Sequence, residues 1–195
     1  MQRSHLQGDG ALSDPDAMDT PLTGDLQRLA RTHDDLAAAL GDLADTALSR
    51  RPSAGSWSPK EIVCHLRDIE ELFMIRFRSM LAMDEPKFLV LGEMPAKPDE
   101  WGIVAGDPLP LDPDRWVEER QYLRNDTGAA MAAFHRRRTE TLAFLARLTP
   151  ERWQRGSIHA TRGRMTFAGW VALIAAHDEN HLGQLRRALD AGSGS

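Results

Sequence analysis

Cysteine is almost missing from this sequence: Cys64 stands alone among 195 residues. A single thiol excludes an intramolecular disulfide framework and fits a reducing compartment. No apolar run reaches the roughly 20 residues that a membrane-spanning helix needs, so no membrane partner is expected. Basic charge is not in excess either. With 24 Lys and Arg against 29 Asp and Glu, the formal net charge is -5, which leaves no general electrostatic case for a nucleic-acid partner. The run "RRR" at Arg136 to Arg138 is a local cluster and reads as a solvated helix face. The opening "MQRSHLQGDGALSDPDAMDT" lacks the hydrophobic core of a secretory signal. Residues 1–20 therefore read as a flexible tail, as do 191–195, and a cytoplasmic protein is expected. Strand signals are scarce as well, with "FLVL" at 88–91 the only strand-like run.

What is present is helical. The composition, 42% hydrophobic and 27% charged, suits one globular domain long enough to bury a core. From Pro21 to Leu48, the residues Leu22, Leu26, Leu29, His33, Leu36, Leu40, Leu43 and Ala47 alternate steps of four and three, the spacing of a bundle seam. A second helix opens at "SPKE", where Ser58 caps, Pro59 suits the first turn and Glu61 completes a capping box. It runs to about Met83 and buries Ile62, Leu66, Ile69, Phe73, Phe77 and Met80. A long connection rich in proline and glycine follows, of the kind that serves as a lid or binding loop. Its Phe88, Leu89, Leu91 and Trp101 should fold it back over the domain. A third helix is expected from about Asp126 to Leu148, and a fourth from a Thr166 cap to about Asp190. The fold class is thus all-α: a four-helix bundle over residues 21–190, with a long connection between helices 2 and 3.

The fourth helix carries an anomaly. Within the apolar run "TFAGWVALIAAHDENHLGQLRRAL", five consecutive residues, "HDENH", are polar or charged. At 100° per residue, the buried face is set by Phe167, Val171, Ile174, Leu182, Leu185 and Leu189. His181 lies on that face, Asp178 near its middle and His177 at its edge. Two histidines four apart on one helical face are either a metal-binding pair or core imidazoles bonded to polar neighbours. A third ligand must come from another helix. His65, three after Ile62 and four before Ile69, sits on the shoulder of the second helix's buried stripe and can look inward. Three neutral imidazoles beside a water form an open catalytic arrangement.

Together, "WSPKEIVCHLRDIE" and "HDENHLGQL" resemble the DinB-like superfamily, including its YfiT-like metal-dependent proteins. The matching positions are Trp57, His65, Leu66, Asp68, Glu70, His177, Asp178, His181, Gln184 and Leu185, and the resemblance spans about residues 21 to 190. It implies a four-helix bundle, often a homodimer, with a divalent metal, nickel or zinc, held by His65, His177 and His181. Relatives include transferases that use a low-molecular-weight thiol, bacillithiol or mycothiol, and a maleylpyruvate isomerase. The implied function is a metal-dependent enzyme acting on a small-molecule substrate: a thiol-dependent S-transferase or a related isomerase or hydrolase. A non-catalytic metal-binding or stress-response dimer is the alternative.

Other candidates are weighed beside these. Asp178 is the candidate catalytic carboxylate, orienting a metal-bound water or a ligand histidine, or else pairing with Arg76 in a buried salt bridge. Arg76 could instead hold an anionic substrate. Glu61 or Asp68 could accept the second ring proton of His65. Cys64 reads as a small core residue. His33 is a core histidine of the first helix and the reserve fourth ligand, whereas His135 and His159 show no partner pattern. The tryptophans read as core or lid packing, with Trp101 a possible pocket wall. "HDENH" superficially matches the zinc-protease His-Glu-x-x-His helix, but its aspartate is too short to serve as that general base.

Overall fold

A computed structural model describes residues 20–193 of the chain. The expected tails fall mainly outside this range, at residues 1–19 and 194–195. The elements are α1 (Thr20–Leu40), α2 (Asp45–Leu48), α3 (Pro59–Ala82), β1 (Lys87–Phe88), α4 (Pro113–Glu119), α5 (Thr127–Leu145), α6 (Pro150–Trp153), β2 (Gly156–His159), β3 (Gly163–Thr166) and α7 (Phe167–Ser193). The four long helices are those expected. α3 packs against α5 and α7, and so does α1, which sets α1 and α3 across the diagonal of the bundle.

Local chemistry sets the boundaries. Ser58 and Glu61 form the capping box, with Pro59 in the first turn. The Asp126 side chain accepts from Ala129 N at 2.7 Å, and the Thr166 hydroxyl from Gly169 N at 3.5 Å. The first helix is shorter than its leucine spacing suggested. Gly41 takes a φ of 52° and its N–H bonds Ala37 O, a left-handed ending that glycine accepts without strain. Leu43 is consequently 50% exposed, and the chain re-enters the fold as α2, burying Leu48. At the other end α7 continues to Ser193, past the Asp190 stop.

A small sheet was not foreseen. β1 pairs in parallel with β2, and β2 in antiparallel with β3. The β2–β3 segment, "GSIHATRGRMT", has no apolar alternation by which a strand is recognised. Its role is to tie the long connection down. Ile158 N donates to Pro86 O at 2.9 Å and Ala160 N to Phe88 O at 3.2 Å, so the connection folds back over the bundle as its apolar residues suggested.

The core is in two parts. Leu36, Leu66, Phe134 and Leu185 belong to one apolar cluster, and Leu29, Ile69, Leu145 and Ile174 to the other. Every long helix buries polar groups at or near the junction of the two clusters: Thr32, Glu70, Arg138, Asp178 and His181. This polar layer is where the histidines sit.

Candidate metal centre and its cavity

The capping box fixes the start of α3, so His65 falls just under two turns into the helix, on the side that meets α7. There His65, His177 and His181 each present a ring nitrogen, all within 4.8 Å of one another. His65 Nε2 and His177 Nε2 face each other at 3.2 Å. Two nitrogens about 2.05 Å from one tetrahedral ion stand roughly 3.3 Å apart, so the donor set fits a divalent cation. Among the described residues, the Nδ1 atoms of His65 and His177 are buried without a hydrogen-bond partner. His181 Nδ1 lies 2.8 Å from Gln184 Oε1. An amide oxygen only accepts, so Nδ1 holds the proton and Nε2 keeps its lone pair. Burial, and then the charges the other histidines would carry, push His65 well below the ordinary imidazole range. Burial followed by His177 takes His181 down to about 4. Both rings are neutral at neutral pH, the state in which imidazole binds a metal.

Asp178 is buried one residue from His177. Its Oδ2 accepts from Arg138 Nη2 at 2.8 Å and from the Thr32 hydroxyl at 3.1 Å, while Oδ1 lies 3.5 Å from His177 Nδ1. Burial would raise this carboxyl, but the Arg138 guanidinium and His177 together hold Asp178 below the usual range. Its salt-bridge partner is therefore Arg138, not Arg76. Arg138 also corrects the reading of "RRR" as a solvated face. Three consecutive residues sweep 200° of a helix, so one must turn inward, and Arg138 is 3% exposed. It donates to Glu70 Oε2 (2.7 Å) and Leu29 O (2.9 Å) as well as to Asp178, touching all four long helices.

Neither proposed acceptor reaches His65 Nδ1. Glu61 is occupied by Arg51 and the cap, and Asp68 by Arg67, Arg120 and the Tyr122 hydroxyl. His33 lies away from the site, against His135 with ring centroids 4.3 Å apart. Cys64 is fully buried, and burial pushes its thiol up to about 11, in keeping with a core residue. His159 is buried too, with Nδ1 accepting from Thr161 N and Arg162 N, both at 3.2 Å.

The three histidines open onto a cavity of about 230 Å³, walled by Trp57, Ile69, Leu72, Phe73, Arg76 and Leu173 and roofed from the long connection by Val90, Leu91 and Glu93. Trp57 lies parallel to His181, centroids 5.8 Å apart, and its Nε1 is fixed by Asp114 at 2.8 Å. Among the tryptophans it is Trp57 and not Trp101 that lines the cavity. Sequence reasoning missed the contributions of Trp57, Gln184 and Arg138. The i, i+3 spacing of His181 and Gln184 was a usable signal, whereas nothing local distinguished Arg138 from its neighbours.

The family model of the DinB superfamily matches residues 28–185. The chain belongs to the DinB superfamily. Similar proteins include a "putative metal-dependent hydrolase" of Oceanobacillus iheyensis, 26% identical over 160 residues, which span 82% of this chain and 80% of that protein. The uncharacterized YuaE of Bacillus subtilis is 26% identical over 154 residues, 75% of this chain and 86% of its own. Among solved structures, YfiT from Bacillus subtilis, described as "a probable metal-dependent hydrolase with an unusual four-helix bundle topology", matches 90% of both chains with a TM-score of 0.69 and 20% identity. That likeness establishes the shared bundle. No helix among the described residues is long and apolar enough to cross a membrane.

Proposed function

We propose that this chain is a divalent-metal-dependent enzyme acting on a small, largely apolar substrate, with His65, His177 and His181 as the metal ligands. The observation that carries the reading is the set of three imidazole nitrogens within 4.8 Å, two of them on rings held neutral, on the wall of a cavity rather than sealed in the core. Zinc or nickel suits an all-imidazole set. A bound divalent cation supplies Lewis acidity, polarising an electrophile and lowering the pKa of a water or thiol. The chain's own residues do the rest. Gln184 fixes the tautomer of His181, Asp178 steadies His177 from behind, and Trp57 together with the apolar walls excludes water from the reacting end. Asp178 is absent from the cavity wall, so its role is to position His177.

Hydrolysis is the reaction favoured by the names of the similar proteins. Thiol-dependent S-transfer is a second reading, favoured by one feature of the wall: its lone carboxylate is Glu93, on the roof and engaged by Thr161. A thiolate nucleophile dispenses with the general base that attack by water needs. The superfamily resemblance extends the proposal to a cytoplasmic homodimer, for which sedimentation supplies the check.

The test is metal analysis of protein purified without a polyhistidine tag, followed by cobalt substitution. Near-stoichiometric metal and a cobalt spectrum that changes on adding mercaptoethanol or a small anion are expected. A spectrum unresponsive to every added thiol and anion means a closed structural site and refutes catalysis. Turnover of aryl esters without thiol, against arylation of thiols by an activated aryl chloride, then separates hydrolysis from transfer.

A further inference from the structure

One wall of the cavity is a single stripe of α3. His65, Ile69, Leu72, Phe73 and Arg76 follow one another at steps of four, three, one and three, which an α-helix brings to one face. Eleven residues separate His65 from Arg76, so their backbones stand roughly 16 Å apart along the axis. The cavity thus has the histidines at one end, an apolar middle, and Arg76 at the other end.

That guanidinium is anomalous. Arg76 is 5% exposed, yet no carboxylate among the described residues pairs with it. Its Nη2 donates to Leu89 O at 2.6 Å. Otherwise its charge rests against the rings of Trp170, Phe73 and Phe88, at 5.0, 5.5 and 5.7 Å. Burial alone pushes it down to about 10. The other deeply buried arginine, Arg138, is neutralised by two carboxylates. Burying a cation without a counter-ion is costly, and removing one by an apolar side chain commonly stabilises a fold. One carbonyl and three rings shelter the Arg76 guanidinium, but none of them neutralises its charge, which an anionic ligand would.

We propose that Arg76 binds the carboxylate of the substrate, which is accordingly an elongated, apolar-bodied monocarboxylate whose reacting group lies at the three histidines. The inference rests on the reading of this cavity as the substrate site. A guanidinium fork matches a planar carboxylate. Among the described residues the wall offers no second cationic side chain beside Arg76, so at this end, away from the proposed metal, a doubly charged phosphate would remain half uncompensated.

The probes are ω-phenylalkanoic acids from phenylacetic to phenyloctanoic acid and their matched primary amides. Binding is measured by calorimetry on the full chain, both as purified and after chelation. At least one acid should bind tenfold or more tighter than its amide in both preparations. Arg76→Met should erase that preference, leave amide affinity within about twofold, and melt no lower than the wild type. Arg76→Lys should keep part of the preference. If no acid in the series outbinds its amide in the wild type, the proposal is wrong, whether or not any variant folds. A preference that survives in Arg76→Met also overturns it. A preference lost on chelation would mean that the metal holds the carboxylate, which sinks the role of Arg76 and leaves the metal site standing. Conversely, an Arg76-dependent preference in protein that takes up no metal would sustain this inference and refute the metallic reading.

Discussion

Replacing Arg138 by methionine tests the polar layer directly. In the native fold its Nη2 is shared by Glu70 and Asp178, Nε reaches Glu70 at 3.0 Å, and Nη1 holds Leu29 O. Both carboxylates are almost wholly buried, with side chains 1% and 4% exposed. Methionine fills much of the volume but strands two buried acids and a carbonyl. Breaking a buried ion pair by deleting one partner costs about 3–5 kcal/mol. For a domain of this size each kcal/mol lowers Tm by roughly 2–4 °C, so a fall on the order of 6–20 °C is expected by calorimetry or circular dichroism. Adding Glu70→Leu and Asp178→Leu removes the stranded charges and should recover most of the loss, because hydrophobic replacement of a whole buried network is often neutral. The comparison belongs on metal-free protein, since Asp178 also steadies His177. A single variant that loses less than about 1 kcal/mol, or a triple variant no better than the single one, would refute this account of the layer.

Changing His65, His177 or His181 to alanine should abolish stoichiometric metal binding in a still-helical protein, whereas His33→Ala should leave it intact; full occupancy in any of the first three removes that residue as a ligand. Gln184→Leu deprives His181 Nδ1 of its acceptor and should weaken metal affinity by about 10–100-fold, measured by competition with a chromophoric chelator; unchanged affinity would show the bond to be incidental. Burial, and then the Arg162 charge, take His159 down to about 4, against an unfolded value near 6.5. The unfolded chain therefore binds the extra proton first, and stability is lost as pH falls from about 6.5 to 4. Thermal melts at pH 7 and pH 5 should show a larger drop for the wild type than for His159→Asn, which cannot titrate; equal drops would contradict the assignment.

The legible parts of the fold were those with a repeated or paired signal. The capping box and six apolar positions fixed α3, and the same helical phase placed His65 opposite His177 and His181. The illegible parts depended on distant residues. Leucine spacing ran past Gly41 because periodicity carries no record of a left-handed glycine. β2 is docked by backbone acceptors at Pro86 and Phe88, about 70 residues away, and β3 pairs with β2, so neither follows from its own composition. Arg138 looked like its arginine neighbours, and its inward turn follows only once Glu70 and Asp178 are known to lie opposite. Arg76 was the plausible partner for Asp178 by face, but it lies beyond reach at the other end of the cavity.

The roof of the cavity hangs from β1 chiefly by main-chain hydrogen bonds, to which the Glu93 carboxylate adds one from the Thr161 hydroxyl. Only proline at a donor position removes such a bond outright. Val90 and Leu91 make no side-chain hydrogen bond in that attachment and are exchangeable fittings on the frame. Substitution there changes which molecules enter while leaving the three imidazoles, anchored in α3 and α7, undisturbed. A chain built this way can acquire a new substrate through the roof alone, without reworking its metal centre.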